Sequence, residues 1–273
     1  MHFHYVFSAA EILWTLTFAA ELVLLVVLLG RDRARRFPWF TVYIVTVALL
    51  LLTTKLLFGR LAPLLSTTVF LAISDLAAVV AALVVLEVAR RAFAGSSRRG
   101  FLAGAAVLLG VAAALIAMWG PWPAWKTLID GTTLAHLRVM QMFADKGAVL
   151  TAILDVELAL VVVLFGRRFQ GGWRTHAQQI AIGLSTAGLS QLAVRVIWQL
   201  IATHTTVHSQ AQYERLMALR DRMYQGNNVV FLCALVWWIV WIWLEEPAAG
   251  AGDSTQAAPE PQAALTGEPG ASA

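Results

Sequence analysis

The chain has 273 residues, of which 59% are hydrophobic and only 13% charged, with a mean hydropathy of +0.72. A soluble domain of this size needs more polar surface, so composition excludes that class and leaves an all-α polytopic membrane protein. The formal charge of +4 does not indicate nucleic acid, because the basic residues stand at the ends of apolar runs, where a lipid bilayer as partner predicts them.

Seven apolar segments are long enough to span: about 8–29, 38–59, 64–89, 101–119, 143–166, 175–203 and 224–244. The first lacks a basic leader region and is expected to be a retained helix. Eleven arginines follow helices one, three and five: Arg31, Arg33, Arg35, Arg36, Arg90, Arg91, Arg98, Arg99, Arg167, Arg168 and Arg174. The other side carries Arg60, Lys126, Arg138, Arg215, Arg220 and Arg222. The positive-inside rule therefore puts the N-terminus outside and the C-terminus inside, as in a cytoplasmic (inner) membrane protein. Trp39, Trp119, Trp122, Trp125 and Trp173 fall at the interfaces, whereas Trp237 and Trp238 lie deep enough to be expected to pack. Residues 1–246 form the seven-helix domain, and the Ala-, Gly- and Pro-rich 247–273 read as a disordered cytoplasmic tail. The stretch 209–224 alternates apolar and charged positions at helical spacing. It is either an interfacial helix or an outward extension of helix seven.

Helix one contains ELVLLVVLLGR from Glu21 and helix five ELALVVVLFGR from Glu157, identical at eight of eleven positions. Leu and Val matches are cheap in membrane helices; the buried glutamate and the closing Gly30-Arg31 and Gly166-Arg167 are not. A 3+1+3 parallel repeat follows, with helix four as linker, an arrangement similar to that of SWEET-type sugar-efflux transporters. None of that family's proline-containing repeat motifs is present, so the likeness is one of architecture.

The embedded ionisable residues are Glu21, Lys55, Asp75, Asp155, Glu157 and Arg195, with Gln191 one turn from the last. Unpaired near the bilayer centre, six such groups cost about 15–20 kcal/mol, more than the ~5–15 kcal/mol net stability of a domain. Most must be paired, hydrated or neutral. Four acids face two bases, so two carboxylates are left for a proton, water or a cation. Depth groups Asp75 with Arg195 or Lys55 as a structural ion pair that fixes helix register. Glu21, Asp155 and Glu157 gather nearer the midplane and, with Gln191, are the substrate-binding candidates. Asp155 and Glu157 stand ~200° apart around their helix, so one should meet the bundle centre and the other a neighbouring helix. Glu11 and Glu87 read as solvated interfacial charges.

GLSTAGLSQ in helix six, Gly183 to Gln191, is a small-residue face suited to close helix packing, with a broken substrate-binding helix as the sharper alternative. Gly104 and Gly110 leave helix four as packing or linker. His204 and His208 share a helical face and His2 with His4 could join them, but no third ligand stands at fixed spacing, so no metal is assigned. No cofactor is implied. The three lysines, Lys55, Lys126 and Lys146, leave helix seven without a Schiff-base residue for retinal. Cys233 is the single cysteine, and no HExxH, GxSxG or histidine box suggests an enzyme. The expected function is a carrier with a midplane acidic site for a cation, a proton-coupled solute or a cationic small molecule. The alternatives are a seven-helix receptor signalling through a cytoplasmic partner protein, or a non-catalytic subunit of a membrane complex.

Overall fold

A computed structural model of the chain describes residues 8–57, 60–92, 98–120, 122, 124, 126, 129, 131–165 and 175–245. The expected tail over 247–273, His2, His4, Trp125, Trp173, Gly166, Arg167, Arg168 and Arg174 lie outside the described residues. The helices are α1 (Ala9–Gly30), α2 (Arg33–Arg36), α3 (Pro38–Leu56), α4 (Pro63–Ala92), α5 (Arg98–Met118), α6 (Thr133–Phe165), α7 (His176–His204) and α8 (Gln210–Trp243), with no strand among the described residues.

Local chemistry starts these helices where it should. Ser8 and Glu11 form a reciprocal capping box at the head of α1, with Ser8 Oγ accepting from the Glu11 amide at 3.2 Å. Pro38 occupies the first turn of α3, where its missing N–H is no loss. Outward faces are apolar at helical spacing, as in Leu22, Val26 and Leu29 on α1, Val42, Val45 and Leu49 on α3, and Val236, Val240 and Trp243 on α8, all exposed. A lipid bilayer is the solvent that such stripes suit.

Among the described residues six helices, α1, α3, α4, α6, α7 and α8, are long and apolar enough to cross a membrane. The expectation of a seventh span at 101–119 is not matched on this measure. The apolar part of α5 runs Leu102–Met118, short of the ~20 residues a span needs. This helix packs on α6 at the edge of the bundle, and neither Gly104 nor Gly110 has a neighbour where a Cβ would stand, so these two glycines serve no close contact. Helices α6 and α8 begin well before the expected 143 and 224. The charged stretch before helix seven is therefore an extension of α8 rather than a separate interfacial helix.

Contacts run α1–α3–α4–α6–α7–α8 and back to α1, with α4 also touching α7. Lys55–Glu11, Phe40–Glu87, Arg195–Asp145, Trp238–Ile180 and Arg31–Glu245 fix the relative directions of neighbours. Helices α1, α4, α6 and α8 run from the Ser8 end of the bundle to the Arg31 end, and α3 and α7 run back. Helices α1 and α6 are thus like-oriented but stand across the ring from each other.

The core fills the Arg31 half. Leu24, Leu28, Phe40, Ile44, Leu158, Ile180, Leu235, Trp238 and Ile242 are fully buried there. The Phe40 and Trp238 rings meet edge to face with centroids 5.1 Å apart. Trp238 therefore packs as expected, but Trp237 faces outward and lies against Trp241, 5.5 Å between centroids, because one residue further along a helix is ~100° around it.

Candidate functional site

In the Ser8 half the same ring of helices does not close. A cavity of about 430 Å³ lies between α3, α4, α6, α7 and α8, within the range of small-molecule sites. Its mouth is polar, with Gln141, Asp145, Arg195 and Asn228. Its depth is marked by Tyr43, Leu184 and Asp155. Asp145 and Asp155 are ten residues apart on α6, so the cavity descends ~15 Å along that helix.

The inner end is set by helical phase. Thr151, Asp155, Leu158 and Val162 form one buried stripe at i, i+4, i+7 and i+11, so Asp155 occupies a position that packing would otherwise give to Leu. Asp155 is 8% exposed, and no cation lies within ion-pair distance of it among the described residues. Above it, Thr151 Oγ1 donates to the Gly147 carbonyl oxygen at 3.0 Å, and on α4 Ser74 Oγ donates to Phe70 O at 2.9 Å. Both hydroxyls keep lone pairs for a guest. Asn227 Oδ1, in the α8 wall, is buried without a hydrogen-bond partner.

Of the four substrate-binding candidates, Asp155 and Gln191 line this cavity, and Glu21 and Glu157 do not. Glu157 is excluded by the ~200° that separates it from Asp155; its carboxylate oxygens are buried elsewhere without a hydrogen-bond partner. Glu21 shares the buried stripe of α1 with Thr17, Leu24 and Leu28 and is 0% exposed, both oxygens likewise unpartnered. Its helix packs on α3, whose Tyr43 lines the cavity wall, and on α8.

The expected pairing of Asp75 with Arg195 or Lys55 is not what the structure holds. Arg195 Nη1 lies 3.4 Å from Asp145 Oδ1, and Lys55 Nζ lies 3.9 Å from Glu11 Oε1. Asp75 keeps a buried Oδ1 with no hydrogen-bond partner. Asp145 on α6 and Glu11 on α1, both within the expected spans, stand level with the two bases and take them as partners. Glu87 is corrected as well. Rather than facing solvent it is buried, accepts from the Phe40 amide at 3.0 Å and lies 3.8 Å from Arg91. It caps α3 from a neighbouring helix.

GLSTAGLSQ is a packing face, not a broken helix: α7 is continuous from His176 to His204. A Cβ on Gly183 would collide with the Trp238 indole, and one on Gly188 would come within 3.2 Å of the Ala152 backbone. No group of three or more His, Cys, Asp or Glu side chains suits a metal among the described residues. His208 Nε2 instead meets Thr206 Oγ1 at 2.9 Å.

Tyr43, Thr151, Ser74, Asn227 and Asn228 are wall residues that the sequence reading passed over. A polar residue in phase with a buried stripe was the available signal for Thr151. The amide pair at the start of the last apolar run was the signal for Asn227 and Asn228. No protein-family model, no curated protein and no solved structure matches the chain.

Proposed function

We propose that the protein is a multi-pass carrier of the cytoplasmic membrane for a small cationic solute, held in the α3–α4–α6–α7–α8 cavity with its positive group at Asp155. The observation that carries this reading is a buried carboxylate on the wall of a cavity of mixed polar and apolar lining, with no cation within ion-pair distance of it among the described residues. A bare charge there is strongly unfavourable, and a cationic guest offsets that cost. Gln191, Thr151, Ser74 and Asn227 offer hydrogen bonds along the way. The arginine bias of the connecting segments favours the Ser8 end outside, so the mouth would face out. The packed Phe40–Trp238 layer would then be the inner closure that a transport cycle must open.

A duplication fits this reading. Under a correspondence of α1, α3 and α4 with α6, α7 and α8, the α4–α7 contact has its counterpart in the meeting of Phe40 on α3 with Trp238 on α8. The single-mouthed cavity also favours a second reading, a receptor whose ligand enters from the Ser8 end and whose packed half signals through a partner.

Uptake separates the two. Proteoliposomes should accumulate one or more of a panel of alkylammonium ions, from methylammonium to tetraethylammonium, and Asp155→Asn should abolish that uptake. Uptake equal to that of protein-free vesicles, with saturable binding retained, favours the receptor. Uptake unaltered by Asp155→Asn in folded protein removes the site.

A further inference from the structure

Four arginines, Arg31, Arg33, Arg35 and Arg36, crowd the short link between α1 and α3. Asp32 takes a left-handed backbone conformation, φ 54°, just after α1 ends, and the one turn of α2 leads to Phe37 before Pro38 opens α3. We infer that this corner, completed by Arg90 and Arg91 at the end of α4, binds the phosphate of an anionic glycerophospholipid, with Arg33 as the principal contact. The inference is independent of the solute cavity.

The arginines at this end differ in what they already hold. Arg31 stacks on Trp243, 4.4 Å from the ring centroid, and lies 3.8 Å from Glu245. Arg35 lies 3.5 Å from Asp32. Arg91 lies 3.8 Å from Glu87, whose carboxylate also accepts from the Phe40 amide. Those three acids are thereby taken. Neither Arg33 nor Arg90 has an acid within ion-pair distance among the described residues. Arg90 is exposed, so water serves it. Arg33 is half-buried, and its Nε is enclosed without a hydrogen-bond partner. A charged donor shut away from water normally meets an acceptor, and here the protein supplies none.

The neighbours of Arg33 are cationic. Arg36 and Arg91 both lie over the Phe37 ring, 5.8 and 4.5 Å from its centroid. The Phe37 amide donates to the Arg33 carbonyl oxygen at 2.7 Å, one turn back, and helical spacing puts Arg33 and Arg36 on the side of α2 that leads to Phe37. Three guanidiniums thus collect about one buried ring, with Glu87 the one acid beside them among the described residues.

The adjoining surface identifies the anion as a lipid. On α4, Val79, Leu86 and Arg90 follow at i, i+7 and i+11, all exposed, so an outward apolar stripe ends at an arginine. On the adjacent α3, Trp39 and Val42 are exposed near the same end. Acyl chains fit that surface while the headgroup phosphate meets the guanidiniums, as in basic pockets that hold anionic lipids at a membrane face. Planar guanidinium forks suit phosphate oxygens in pairs. The excess of positive charge selects a lipid of net negative charge over phosphatidylcholine, whose choline would bring one more cation to the arginines.

Native mass spectrometry tests this on the full chain, released from maltoside micelles holding equal amounts of phosphatidylglycerol and phosphatidylcholine with the same acyl chains. The protein should retain phosphatidylglycerol several-fold over phosphatidylcholine, and Arg33→Gln should cut that ratio several-fold. Arg33→Lys, which keeps the charge and loses the fork, should cut it less. Arg35→Gln removes the same charge from the Asp32 pair and should leave the ratio unchanged. If Arg33→Gln does not fold, Arg33→Lys set against Arg35→Gln decides by the same ratio. Equal retention of the two lipids, or equal losses in the Arg33 and Arg35 variants, overturns the inference, the second outcome meaning diffuse surface charge. Glycerol 1-phosphate, which carries the phosphate without chains, should not displace phosphatidylglycerol at the lipid's own concentration. Displacement would make the ligand a dissolved anion and overturn the assignment to lipid.

Discussion

The Trp238 indole occupies the space that Gly183 leaves open, with Nε1 donating to the Ile180 carbonyl oxygen at 3.3 Å. A side chain that large lies flat against α7 only because the residue beneath it has no Cβ. Gly183→Ala should force the fully buried ring to shift and destabilise the bundle by about 1–3 kcal/mol, the usual effect of overpacking. Thermal melting in detergent would show it. Gly110→Ala, on a face with nothing nearby, should be neutral or slightly stabilising in the same assay.

The Glu87–Phe40 hydrogen bond joins two helices at a point where α3 has an unfulfilled first-turn amide. Glu87→Ala leaves that buried N–H without an acceptor and should lower stability by about 1–3 kcal/mol. Glu87→Gln retains an acceptor and should lose less. Melting of the two variants side by side checks the order, and equal losses would mean that the ion pair with Arg91, not the cap, matters.

At the mouth, Arg195 and Asp145 are partly open to solvent, with side chains 25% and 52% exposed. Such a pair contributes only ~0–1 kcal/mol, so Asp145→Asn should leave the melting temperature almost unmoved. Its effect should be kinetic. Arg195→Gln should speed entry of cationic reagents and Asp145→Asn should slow it, both effects fading as salt is raised. Stopped-flow labelling at two ionic strengths measures this.

Much of the architecture was legible because lipid imposes it. Six apolar runs end where Gly, Pro and Arg appear, and the sequence put Glu21, Asp155 and Glu157 at membrane depth and Asp155 and Glu157 on different faces, while leaving open which of the two faces the bundle interior. Which acids share a space was not legible. That depends on which helices surround the cavity, with α1 packed outside on α3 and α8, a relation among several helices that periodicity within one cannot express. Glu87 illustrates the same gap. Beside Arg90 and Arg91 it looks like a surface charge, and only the arrival of α3, 47 residues away in sequence, makes it a buried cap. The lengths of α6 and α8 were missed for a different reason: apolarity marks where a helix enters lipid, not where it begins.

Single cysteines in a Cys233→Ser background should map the wall. Gln191→Cys and Asn227→Cys, which border the cavity, should react with a membrane-impermeant thiosulfonate added from the Ser8 side. Glu21→Cys should not. Reaction at all three positions from the opposite side would reverse the orientation and open the closed half.

The central claim is that an accessible cavity ends at a charged or chargeable Asp155, and one labelling rate reaches it most directly. Thr151→Cys places a thiol one turn above Asp155 on the same stripe. It should react several-fold faster with a cationic thiosulfonate than with a neutral one of equal size, and adding Asp155→Asn should erase that preference. No reaction at position 151, or a preference that survives the loss of Asp155, would contradict the account.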